Sequence, residues 1–464
     1  MKPHLGNFLA IAALSLLALA KCQAVVAATA PSAWKAGAAK VVITPESLMW
    51  MSGYGSRDHA AEGKLHDLWA KALVLEDLAG HRVALVTLDL VGIDRGLSLS
   101  IRDTLDKKYG LARPHVAICC SHTHTGPVVG RNLRAMYFLD AAQEKLVDQY
   151  TDTLEGKISE VVGQAISRLA PAQLAWANGR ATFAVNRRAN PEAEVPALAA
   201  AGKLRGPVDH DVPVLSVRDA AGGLKAIVCG YACHATALSF YQWSGDWPGF
   251  AQIDLERAHP EAVALFWAGC GADQNPLPRR TVELAQEYGR QMSAAVDQVL
   301  AGGMTAVTGN LSTSYAEIDL PLSTLPARDE LEKQAQSADK FQAGRGKLLL
   351  KQIDAGQPLS PTYPYPIQVW RLGNGPAWIT LGGEVVVDFA VRLKEELGRE
   401  KTWVAGYTND VMAYIPSRRV LTEGGYEGGG AMVYYGLPTV WAPEVEELIV
   451  REVRRQAHTA RAKE

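Results

Sequence analysis

The sequence predicts an α/β fold, and three observations carry that prediction. Apolar strand-like runs alternate with segments whose apolar residues recur at helical spacing. Five of the strand-like runs end in small residues followed by one or two reactive side chains. The chain of 464 residues is 48% hydrophobic and 21% charged, an ordinary globular balance with ample material for a large core.

The elements follow in chain order. Lys2 and His4 precede the apolar run "FLAIAALSLLALA", Phe8 to Ala20. At about 13 residues it is short for a bilayer span and fits the apolar part of a secretory signal. Ala18-Leu19-Ala20 and Val26-Ala27-Ala28 offer small-residue cleavage sites. Cys22 raises lipoprotein anchoring, although Lys21 before it is a poor match to the usual small residue. The reading is a signal peptide over residues 1–28 and a single domain over 29–464, exported to the periplasm or secreted, with no later transmembrane segment. "AKALVLED" (Ala70 to Asp77) and "RVALVTLDL" (Arg82 to Leu90) flank "LAGH" and read as a hairpin. Asp152 to Leu169 and Val282 to Leu300 carry helical periodicity. Arg328 to Asp354 is polar and helical in pattern, a peripheral hairpin or lid. Pro443 to Gln456 opens with Pro and acids and closes with Arg, which suits a terminal helix.

The strand ends are the informative part. "HVAICC" runs into Ser121-His122-Thr123-His124, "AIVCGYAC" into His234, and "AVALFWAG" into Cys270-Gly271-Ala272-Asp273-Gln274-Asn275. "PAWITLGG" runs into Glu384 and the helix "VVVDFAVRLKEEL", and "TWVAGYTND" runs toward Tyr414. Ligands of open α/β sheets bind at the carboxyl ends of strands, so convergence of these five ends is the simplest architecture that uses them all.

Charge and cysteines bound the function. A formal net charge of −2 shows no basic surplus of the kind a nucleic-acid binder carries. Cleavage of the signal leaves Cys119, Cys120, Cys229, Cys233 and Cys270. An odd count in apolar runs reads as small buried hydrophobes rather than a disulfide framework, with oxidation of a pair left open.

His122 and His124, taken as i and i+2 of an extended segment, face one side and could reach one metal. Alone, His-x-His is a weak pattern that also describes hydrogen-bonded histidines. His234 and Glu384 add a nitrogen and an oxygen donor, a set standard for hydrolytic zinc. Glu384 reads equally as an acid near a helix N-terminus. Trp243, Trp247, Tyr434 and Tyr435 could line a pocket or pack the core. Arg279 and Arg280 could meet an anionic group or stay exposed.

The stretches "SHTHTGP", "CHAT", "SGDWPGFA", "GGE" and "GYTNDVMAYIPSRRVLTEGGYEGG" resemble the catalytic domain of the neutral (non-lysosomal) ceramidases, zinc-dependent amidohydrolases that cleave the N-acyl bond of ceramide. The resemblance runs from Ala36 to Arg451. It implies a layered mixed β-sheet core flanked by helices and one Zn2+ per chain, held by His122, His234, Glu384 and Tyr414. It places His124 beside the reacting carbonyl, and Tyr426 and Arg187 (or its neighbour Arg188) on the substrate. Two features depart from the family. Its "GDVSPN" serine falls on Gln274 of "GADQNP", and Gln cannot be a nucleophile. Asp273 is then a candidate acid/base and Gln274 a candidate donor to the oxyanion. The family's C-terminal β-sandwich also has no counterpart in this stretch. The expected function is therefore hydrolysis of a small-molecule amide by metal-activated water. An ester, lactone or acylated sugar as substrate, or a binding protein that kept the fold, stand as alternatives.

Overall fold

Period-two alternation builds two sheets that share one apolar layer. The structure, a computed structural model, describes Met1 and residues 34–461. The chain divides into two units, Met1–Pro31 and Ser32–Glu464, and the second carries everything below. Apart from Met1, the expected signal segment and Cys22 lie outside the described residues. Among the described residues no helix is long and apolar enough to cross a membrane.

The large sheet comprises β1 (Trp34–Val42), β2 (Trp69–Asp77), β3 (Arg82–Leu88), β4 (Val116–Cys120), β5 (Ala170–Arg180), β6 (Asp211–Asp219), β7 (Leu224–Tyr231) and β8 (Val263–Ala268). Its order is β8-β7-β6-β5-β1-β2-β3-β4, with the two-residue strand Thr305–Ala306 beside β5. The outermost pairs, β3 with β4 and β7 with β8, are parallel, and the pairs between them are antiparallel. The expected hairpin is β2–β3. The small sheet runs β9 (Leu311–Pro321), β10 (Thr362–Leu372), β11 (Ala377–Leu381) and β12 (Thr402–Ala405), its last pair parallel.

Each strand sorts its side chains by parity. β2 sends Ala70, Ala72 and Val74 to one core and Leu73 and Leu75 to another. β10 sends Tyr365, Ile367 and Val369 outward and Trp370 and Leu372 inward. Trp267, Trp370, Trp378 and Trp403 fill the layer between the sheets, with Trp370 and Trp378 ring centroids 5.3 Å apart. Truncating one of these buried rings to Ala costs about 3–5 kcal/mol.

Helices close both outer faces. On the large sheet lie α1 (Arg95–Tyr109), α2 (Ala141–Ser167), α3 (Asp246–Ala258) and α4 (Val282–Ala301). α5 (Arg328–Ala335) and α6 (Lys340–Asp354) form the expected peripheral pair. α7 (Val387–Leu397) and α8 (Val445–Arg461) cover the small sheet. The stack is α/β/β/α, the layered mixed-sheet core that was expected. α2 starts well before the predicted Asp152, because Asp140 caps it by accepting from the Gln143 N–H. Its first turns are polar and carry little apolar periodicity. The five cysteines are buried and free. Trp243 and Trp247 are buried in the large core rather than in a pocket.

Candidate active site

All five strand ends meet at one place. β4 stops at Cys120, and His122 takes a left-handed φ of 61° instead of continuing the strand. The extended i, i+2 geometry expected for His122 and His124 is therefore replaced by a turn. An isolated parallel bridge between Thr123 and Ala235 joins the ends of β4 and β7, which brings His234 beside His122. Beyond the small sheet, Glu384–Val385 and Tyr414–Ile415 form a separate two-stranded parallel sheet in which Glu384 pairs with Tyr414. Gly383 makes that approach possible. It has φ 75°, and a Cβ there would lie 2.7 Å from the Ala413 carbonyl oxygen.

Hydrogen bonding decides where the lone pairs point. His122 Nδ1 lies 2.6 Å from the Val91 carbonyl oxygen, and His234 Nδ1 lies 2.6 Å from that of Gly271. A carbonyl only accepts, so each Nδ1 carries a proton and each ring turns its Nε2 toward the centre. Glu384 Oε2 lies 3.1 Å from His122 Nε2 and 3.2 Å from His234 Nε2, and it has no hydrogen-bond partner. Two imidazole nitrogens and a carboxylate oxygen, all buried, thus converge, and a bound cation would satisfy all three at once. The donor set fits a metal ion. His124 Nε2 is 3.1 Å from His122 Nε2, and the histidines 122, 124 and 234 together could hold one. Tyr414 Oη lies 3.4 Å from His234 Nε2.

Charges around the centre follow burial first. Burial and the nearby Arg187 charge push the His234 pKa down to about 4. Burial, then His122 and His234, hold His124 well below the usual imidazole range. Burial alone would raise Glu384, but the adjoining His122 and His234 outweigh it and hold the carboxyl well below its ordinary value. Burial, with Glu384 next, raises Tyr414 and Tyr435 well above the ordinary phenol value. Tyr435 donates a short hydrogen bond to Glu384 Oε1, so that carboxylate's second oxygen is already engaged. Arg187 donates to Tyr414 Oη (3.2 Å), Glu427 (2.7 Å) and Asn275 Oδ1 (3.2 Å), and Arg188 donates to the other Glu427 oxygen (2.6 Å).

A pocket of about 570 Å³ opens over His124 and Tyr414, with Arg187, Arg188 and Tyr426 on its walls. Seven expected residues thus gather here: His122, His124, His234, Glu384, Tyr414, Arg187 and Tyr426.

Asp273 and Gln274 do not face the pocket, which corrects the acid/base and oxyanion roles expected of them. Asp273 is fully buried. One of its oxygens accepts from the Val387 N–H at the start of α7 (2.9 Å) and the other from Asn186 Nδ2 (3.1 Å). Gln274 Nε2 donates to the Pro207 carbonyl (3.3 Å). The short strand Gln274–Pro276 pairs with Ala184–Asn186, and alternation turns Asn275 to the opposite side from Gln274. Asn275 is the pocket-lining member. Its signal in the sequence was only its neighbourhood. Tyr435 was legible as an aromatic, but its bond to Glu384 was not. Arg279 is paired with Glu192 at the pocket edge.

Comparison with known proteins bears on the family and the fold. Residues 34–315 match the family described as neutral/alkaline non-lysosomal ceramidase, N-terminal. The chain is 24% identical to the neutral ceramidase of Pseudomonas aeruginosa, over 86% of this chain and 69% of that protein. It is 26% identical to neutral ceramidase 2 of Arabidopsis thaliana, over 53% of this chain but only 32% of the plant protein. The crystal structure of the Pseudomonas aeruginosa neutral ceramidase superposes with a TM-score of 0.71 at 21% identity, covering 93% of this chain and 75% of that one. A ceramidase complexed with C2 gives 0.72 at 20% identity, covering 93% of this chain and 76% of that one. At these identities the structural likeness is one of fold.

Proposed function

As the chain belongs to the neutral/alkaline non-lysosomal ceramidase family, we propose that it is an exported zinc-dependent hydrolase of N-acyl amides. The observation that carries this reading is the convergence of His122 Nε2 and His234 Nε2 on Glu384 Oε2, at 3.1 and 3.2 Å, beside an open pocket. In this reading His122, His234, Glu384 and Tyr414 hold one zinc ion, a mixed nitrogen and oxygen set that suits that metal. Bound there, zinc would supply the Lewis acidity that polarises a carbonyl and makes a water acidic near neutral pH.

The reaction adds water across the amide. Its oxygen bonds to the carbonyl carbon, the C–N bond breaks, and the water's protons end on the amine and the acid. His124 is the imidazole of the three that lines the pocket, and its Nδ1 is buried without a partner. In this reading it passes a proton between the attacking water and the leaving nitrogen. Arg187 is anchored by Glu427, and its remaining N–H groups, with the Tyr426 hydroxyl, would orient the substrate oxygens. Asn275, held through Oδ1 by Arg187 and lining the pocket, would offer its amide N–H to the carbonyl oxygen, where charge develops. The relatives' name points to ceramide, itself an N-acyl amide. Export rests on the leader-like residues 1–28.

Metal analysis tests the reading. Purified protein reconstituted with zinc is expected to hold about one equivalent per chain, and a chelator is expected to abolish N-acyl hydrolysis reversibly. Retention of less than about a tenth of an equivalent would sink it.

A further inference from the structure

The walls of the pocket point to what enters it. Three arginines stand there, each locked by a glutamate: Arg187 by Glu427, Arg188 by Glu427 and Glu423, and Arg279 by Glu192. All six line the pocket, and their charges cancel three against three. The surface is therefore dense in fixed N–H donors and carboxylate acceptors yet neutral overall. An apolar chain laid on it would strip water from charged groups and return nothing. An anion would meet as much repulsion as attraction. A hydroxyl both donates and accepts, so a cluster of hydroxyls matches alternating guanidinium and carboxylate edges.

One independent observation agrees. Tyr426, 44% exposed, offers an aromatic surface at the mouth against which the C–H face of a sugar ring packs. The volume of about 570 Å³ lies within the usual span of small-molecule sites, about 300–1,000 Å³.

We infer that the pocket takes the hydroxylated, uncharged half of an acylated amino sugar or similar polyol, with its acyl carbonyl directed to His124 and Tyr414. This rests on the hydrolase reading for the reaction, but it makes a claim about binding that can be judged separately.

The test uses the full chain loaded with zinc, and three probes: N-acetylglucosamine, N-acetylhexylamine and N-acetylsphingosine. Binding is read by ligand-observed NMR and hydrolysis by release of acetate. The sugar is expected to bind about tenfold or more tighter than the hexylamide, which lacks the hydroxyls. Arg188→Gln should remove most of that preference. Tyr426→Ala, at a half-exposed ring, serves the same purpose should the Arg188 variant fail to fold. Equal or tighter binding of either lipophilic probe, or no binding of the sugar, overturns the proposal. Sugar binding with no chelator-sensitive acetate release from any probe would leave the pocket assignment standing and remove the hydrolase reading instead.

Discussion

The nitrogen donors of the centre follow strands of the large sheet, whereas the oxygen donors stand on a separate two-stranded sheet, Glu384–Val385 with Tyr414–Ile415, and the two halves are braced by different means. His122 and His234 are oriented by main-chain carbonyls of Val91 and Gly271, which also set their tautomers. Glu384 and Tyr414 are oriented by side chains, the first by Tyr435 and the second by Arg187. Those braces depend on one segment. Tyr435 and Glu427, the anchor of Arg187, both lie in the stretch that follows Gly424 and Gly425, two glycines with positive φ. Both main-chain braces come directly after strands of the large sheet, Val91 after β3 and Gly271 after β8, whereas Tyr435 and the anchor of Arg187 belong to a separate stretch. The two halves can therefore be perturbed separately by substitution.

Breaking the nitrogen half should have the largest effect. His122→Ala or His234→Ala is expected to abolish stoichiometric zinc binding and all chelator-sensitive hydrolysis. A His122→Ala protein that still held one zinc would move the centre elsewhere. The oxygen half should yield more gently. Tyr435→Phe removes only the hydroxyl that holds Glu384, so zinc affinity should fall about 10–100-fold in a competition assay while the circular dichroism spectrum stays unchanged. Unchanged affinity would mean that Glu384 needs no side-chain brace.

Next comes the anchor itself. Glu427→Gln leaves Arg187 and Arg188 without their shared carboxylate and should cost about 1.5–3 kcal/mol in urea unfolding. A loss near zero would show that solvent replaces the pair.

The effect furthest from the centre's own donors should come from Asp410, on the loop leading to Tyr414. Burial is the main cause that raises its pKa to about 8, the hydrogen bond from Tyr363 opposing it and Asp94 adding to it. The folded value lies above the unfolded one, so the native state keeps a proton that the unfolded chain releases at about pH 4. The resulting stabilisation is full below that pH and is lost as pH rises toward 8. Asp410→Asn carries no such charge. Relative to the parent, its melting temperature should rise by a few degrees between pH 5 and pH 8. A difference that stays constant with pH would contradict the burial argument.

Much of the fold was legible because it rests on local periodicity. The β2–β3 hairpin, the helices α4 and α8 and the apolar runs ending in His122, His234 and Glu384 follow from alternation and capping, which neighbouring residues express. What the sequence could not express lies in pairings across long separations. Asp273 looked like an acid/base candidate, but it holds the start of α7, more than a hundred positions along the chain. Gln274 and Asn275 differ by one residue, and only the pairing of their strand with Ala184–Asn186 decides which faces the pocket.

The sequence by itself determined the α/β class, the strand ends and the donor types collected there, because side-chain period and composition are local properties. Only the tertiary structure decided that His122 and His234 turn their Nε2 atoms to Glu384, and that Tyr435 and Arg187 brace the oxygen donors. The reason is physical: tautomer and orientation are set by hydrogen-bond partners, and those partners become neighbours only when the two sheets pack.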